Sequence, residues 1–132
     1  MYLCELTCVT DTDGSETTLR TRARIEEDGK KIRLQYTDGE AVAAICFEGK
    51  SAFIEREGEY TLTLPLKEGE TTQGALGILG SVGEFPVTTN RVEYLWRNKK
   101  LMARLSYTLL MSGEQQNMKV RLTTSFVRES EE

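Results

Sequence analysis

The chain has 132 residues and not one of them is histidine. That absence removes the commonest general base, the Ser-His and Cys-His nucleophile pairs, and every zinc site that needs an imidazole. Cysteine is scarce as well. Cys4, Cys8 and Cys46 form an odd set, too small for a four-thiolate metal site and unsuited to a disulfide framework. On a strand, Cys4 and Cys8 would share a face but stand roughly 13 Å apart at about 3.3 Å per residue, too far to bridge or to hold one metal ion. All three therefore read as small apolar residues of a core, reduced and dispensable. No apolar run approaches the roughly 20 residues of a membrane-spanning helix. The start, Met1-Tyr2-Leu3-Cys4-Glu5, has no basic segment followed by an apolar one, so the expected compartment is the cytoplasm. Cations are in the minority, 17 Lys and Arg against 21 Asp and Glu, and a net charge of −4 gives no global attraction to nucleic acid or to an anionic membrane.

Helical periodicity is missing too, and what takes its place is regular. Polar turns bearing glycine recur at Asp13-Gly14, Asp28-Gly29, Asp38-Gly39, Glu48-Gly49, Glu57-Gly58, Glu68-Gly69 and Ser112-Gly113. Between them lie runs that alternate apolar and polar residues, the pattern of half-buried strands joined by hairpins. Ten runs are predicted: 2–10, 17–27, 31–37, 41–47, 51–56, 59–66, 72–79, 84–97, 100–111 and 115–127. The clearest period of two is Leu101, Ala103, Leu105, Tyr107, Leu109 and Met111 on one face, followed by Met118, Val120, Leu122, Thr124 and Phe126 on one face of the next run. One run changes parity: Phe85 and Val87 are odd while Val92, Tyr94 and Trp96 are even, which predicts a β-bulge or bend within 88–91. The two prolines, Pro65 and Pro86, fall near strand ends or that bend, where a missing amide donor does least harm. The expected fold is all-β: one domain over 1–132, an antiparallel up-and-down (meander) barrel of about 8–10 strands. Residues 128–132 read as a frayed tail.

Three stretches resemble the DUF1934 or YwiB-like family of uncharacterised bacterial proteins. Ile54-Glu55-Arg56-Glu57-Gly58 is similar to the family's apolar-x-Arg-x-Gly hairpin, followed by the turn Lys67-Glu68-Gly69. Thr72-Gln73-Gly74-Ala75-Leu76 leads through a glycine-bearing turn into Phe85-Pro86-Val87-Thr88-Thr89 and Val92-Glu93-Tyr94. Leu105-Ser106-Tyr107-Thr108-Leu109 is followed by a turn and Asn117-Met118-Lys119-Val120. The segment 77–83, Gly77 to Gly83, departs from the Thr-Pro-Tyr-Gly-like turn common in the family. The resemblance implies a calycin-like β-barrel and brings no activity with it.

Candidate chemistry is correspondingly thin. Glu26, Glu27 and Asp28, or Glu55, Glu57 and Glu59, could pair as acid and base, but turn carboxylates are ordinarily just solvated, and no residue is assigned a catalytic role. The spacing of Gly77, Gly80 and Gly83 lacks the Lys-Ser or Lys-Thr and the helix of a phosphate loop and reads as a rim hairpin. Arg20, Arg22 and Arg24 form a basic stripe without neighbouring aromatics, so nucleic acid is not the expected partner. Arg56 differs, because it shares parity with Ala52 and Ile54 and so points inward near a barrel mouth, where a charge needs a partner. It reads either as half of an ion pair that fixes its hairpin or as a bidentate anchor for an anion in the lumen. Tyr36, Tyr94, Trp96 and Tyr107 would then wall the site. The leading expectation is a non-enzymatic module holding a small amphipathic or anionic ligand in the lumen, without cofactor or metal. A protein-interaction module with a filled interior, which could include a homodimer, is the alternative, and a carboxylate-dependent hydrolase or isomerase comes third.

Overall fold

A computed structural model describes residues 1–129. Ten strands follow one another: β1 (Tyr2–Thr12), β2 (Ser15–Asp28), β3 (Lys31–Asp38), β4 (Ala41–Glu48), β5 (Ser51–Glu57), β6 (Tyr60–Lys67), β7 (Thr71–Ile78), β8 (Ser81–Arg97), β9 (Lys100–Met111) and β10 (Glu114–Glu129). Each pairs antiparallel with the next, and β1 pairs with β10 to close the barrel. Among the described residues there is no helix. All ten predicted runs are strands. The chain end is the exception to the sequence expectation: Arg128 and Glu129 are not frayed but lie in β10, opposite Leu3 and Tyr2. Long-range pairing with β1 holds them where local composition suggested release. The rest of the predicted tail lies outside the described residues.

Alternation puts one side chain of every two inside. Leu6, Ile25, Leu34, Phe47, Leu101 and Leu105 are among the fully buried residues of one continuous cluster that runs through the barrel. Each such side chain contributes about 1.5–3 kcal/mol relative to exposure. Cys4 and Cys8 belong to this core, whereas Cys46, expected there, faces outward and is half-buried. The parity change in β8 is a bulge: pairing with β9 slips between Thr89 and Arg91, and Asn90 is the extra residue. Just before it, the Thr89 amide donates to the Glu70 carbonyl at 3.0 Å and its carbonyl accepts from the Gly69 amide at 2.8 Å, so the β6–β7 turn is tied to the bend.

Turns alternate between two ends of the barrel. The β1–β2, β3–β4, β5–β6, β7–β8 and β9–β10 turns share one end, and the other four turns lie with Tyr2 and Glu129 at the opposite end. The weakest seam is β6–β7, where the ladder runs only from the Tyr60–Ile78 pair to Thr63–Ala75. Beyond it Pro65 has no amide to offer, and the Thr72 hydroxyl donates to its carbonyl instead. Elsewhere a hydroxyl extends a ladder: Thr124, buried in β10, accepts from the Leu101 amide at 2.8 Å and donates to the Leu101 carbonyl at 3.2 Å.

Candidate functional site

Arg56 does point inward, at the end of the barrel that carries the β3–β4 and β5–β6 turns. Its Nη1 donates to Asp38 Oδ2 at 2.8 Å, and the guanidinium carbon stands 5.2 Å from the centre of the Tyr60 ring. The two charged residues lie on strands separated by β4, so the guanidinium must cross that strand. It can do so because β4 carries only methyl groups there: Ala41 is opposite Asp38, and Ala43 is opposite both Tyr36 and Arg56. The bond to Asp38 holds the arginine charged more firmly than usual. Nε is shielded from water and donates to nothing among the described residues.

Tyr36 and Tyr107 approach this end from within. Burial pushes the Tyr36 phenol up to about 12, with Cys8 and Asp38 reinforcing the effect and Arg56 opposing it. Tyr107 is pushed higher still by burial, then by Tyr36 and Cys8, which places these side chains within electrostatic reach of one another across the interior. Burial raises the Cys8 thiol as well and lifts Cys4 to about 11, so neither is a ready thiolate near neutrality.

The other two aromatics named from sequence are elsewhere. Tyr94 and Trp96 lie at the opposite end, Tyr94 with its ring 5.1 Å from Phe47 and Trp96 with its ring 5.5 Å from Tyr2. The five residues therefore divide into two groups separated by the core. Sequence reasoning missed Asp38 and Tyr60 beside Arg56; both share the inward parity of their strands, Asp38 with Tyr36 and Tyr60 with Leu62, and that signal would have found them. The acidic triplets sit exposed in turns or on outer faces, and no group of three potential metal ligands occurs among the described residues. The glycines at 77, 80 and 83 belong to the β7–β8 hairpin, as expected of a rim loop.

A family model described as "Domain of unknown function (DUF1934)" matches residues 5–123. The crystal structure of the ywiB protein from Bacillus subtilis is similar, with a TM-score of 0.70 at 15% identity, over 93% of this chain and 90% of that one. No curated protein matches the chain.

Proposed function

The chain belongs to the DUF1934 family, whose description assigns no activity, and we propose that it is a non-enzymatic protein-interaction module whose barrel interior is structural. The observation that carries this reading is the core itself: buried side chains from Cys4 to Leu122 form one cluster along the lumen, the space that a bound small molecule would need. Eight-stranded barrels have interiors that side chains can fill, and the continuous apolar cluster of this ten-stranded one supports the same reading. The lack of histidine and the exposure of the acidic triplets favour binding over catalysis. Three free thiols favour the cytoplasm. Native mass spectrometry of the purified protein tests the reading. The bare chain, alone or with a second copy or a partner protein, is expected; a small molecule retained at unit stoichiometry and released only on unfolding overturns it.

One observation favours the small-ligand reading. Arg56 Nε is shielded yet without an acceptor among the described residues, beside Tyr36 and Tyr60, so an amphipathic anion seated at the rim would complete its bonding. Thermal melts with an added fatty acid or alkyl phosphate decide it. Stabilisation that Arg56→Met abolishes supports the rim site, and melts that the anion does not move exclude it.

A further inference from the structure

A closed barrel offers a partner little backbone. Every strand pairs on both sides, and the open part of the β6–β7 seam is interrupted by Pro65, so β-strand addition has no long edge to join. A partner must read side chains on the outer faces. One of these faces sets two arginines directly opposite each other on neighbouring strands beside a hollow.

The outer surface of β8, β9, β10 and β1 is hollowed into a groove that Arg104 and Arg121 border. Thr7 and Val9 point outward yet are half-buried, as a groove floor requires. The bulge at Asn90 bends β8 around one side, in keeping with the extra twist a bulge imposes. Half of the groove is apolar, with Leu95 52% and Met102 42% exposed, too much of each side chain to be part of the core.

Arg104 and Arg121 are direct cross-strand partners on β9 and β10. Like charges in that position repel. Glu93, opposite Arg104 on the other side, is engaged by Arg91 at 3.3 Å, and Glu16 meets Arg121 only at 3.8 Å. Arg104 has no carboxylate within ion-pair distance among the described residues. Lys119, two residues before Arg121, adds a further cation. In a chain of net charge −4, facing guanidinium groups without a shared carboxylate are a local reversal of sign beside an apolar floor.

We propose that this groove docks an acidic peptide segment of a partner protein, its carboxylates seated on Arg104 and Arg121 and an apolar side chain against Leu95 and Met102. The inference rests on the interaction-module reading and names the partner's chemistry. Planar guanidinium forks suit carboxylates. A nucleic-acid strand fits less well, because Tyr94, the aromatic residue that lines the groove, turns its ring inward against Phe47, away from any base, and Asp11, Glu16 and Glu93 would interrupt a continuous phosphate track.

The test is fluorescence anisotropy on the full chain with a short fluorescein-labelled peptide of alternating Glu and Leu, beside a Lys and Leu peptide and a labelled oligouridylate. The acidic peptide is expected to bind, more weakly at high salt. Arg104→Gln with Arg121→Gln should weaken binding by about tenfold, a change that corresponds to about 1.4 kcal/mol shared between two solvent-exposed ion pairs. That variant should melt no lower than the parent, because it removes a repelling pair, and Arg22→Gln, outside the groove, should bind as the parent does. Equal binding by the double variant, preference for the oligouridylate, or no binding of the acidic peptide overturns the groove assignment. A retained small molecule in native mass spectra would overturn the interaction reading itself, whatever the groove binds.

Discussion

The ring of Phe85 occupies the space that a side chain on Gly74 would need: a Cβ there would stand 2.7 Å from Phe85 Cε2 and 3.0 Å from Leu64 Cδ2. The contact lies where the β6–β7 ladder opens, so an aromatic ring from β8 fills the gap that the missing backbone pairs leave. Gly74→Ala is expected to destabilise the fold by about 1–3 kcal/mol through overpacking. Phe85→Leu added to it should recover part of that loss. Urea denaturation of the two variants measures both, and an unchanged midpoint for Gly74→Ala would show that the ring can move aside freely.

The Arg56–Asp38 pair is half in water, with side-chain exposures of 29% and 44%. Its coupling in a double-mutant cycle with Arg56→Met and Asp38→Asn should therefore be about 0.5–1 kcal/mol, the range of partly solvated pairs. Loss of the Tyr60 contact adds about 0.5–1 kcal/mol to Arg56→Met alone. A coupling above about 3 kcal/mol would mean that the pair behaves as a dry, buried one.

Leu79 has a φ of +49° and is 97% exposed, followed by Gly80 at +83° in a two-residue turn between Ile78 and Ser81. A left-handed backbone suits Asn far better than a leucine, and a side chain this exposed gains little from packing against the described residues. Leu79→Asn is expected to raise stability by about 0.5–1 kcal/mol. Melting curves check it; a drop would mean that the leucine packs against something in solution.

With no histidine to titrate, stability should be flat between about pH 6 and 8. Above that, the buried thiols and phenols keep their protons in the folded chain after the unfolded chain has lost its own, which favours unfolding. Folded-state values are raised for Cys4, to about 11, and Tyr36, to about 12, and upward for Cys8 and Tyr107. Their stabilising contribution is complete below the ordinary thiol and phenol ranges and is lost as pH rises through about 9 to 12. While one such group is ionised only when unfolded, each pH unit removes about 1.4 kcal/mol. Urea midpoints across pH 6 to 11 measure the decline, and a midpoint that holds to pH 11 would contradict the burial of these groups.

Much of the fold was legible because strand patterning is local. Phe85 and Val87, odd, against Val92, Tyr94 and Trp96, even, confine the bulge to 88–91, where it falls at Asn90, and glycine turns mark most of the hairpins, though not the one at Asn98 and Lys99. The inward aim of Arg56 followed from the same parity. Parity reports a face, however, and not a height along the barrel. Tyr36 and Trp96 both face inward, yet they stand at opposite ends because pairing registers between distant strands set the level of each. The same limit hid the facing of Arg104 and Arg121, which depends on how β9 meets β10. Whether the lumen is open is a sum over all inward side-chain volumes, which no single segment carries.

β1 finds its second neighbour far along the chain in β10: Thr12 meets Met118, 106 residues further on. While the chain is being made, β1 has only β2 beside it, and each partial sheet exposes two free edges of the kind from which aggregates grow. Emergence of β10 from the ribosome removes both edges in one step. A chain cut short before residue 114 is therefore expected to keep both edges open and to aggregate at concentrations where the chain carrying β10 does not.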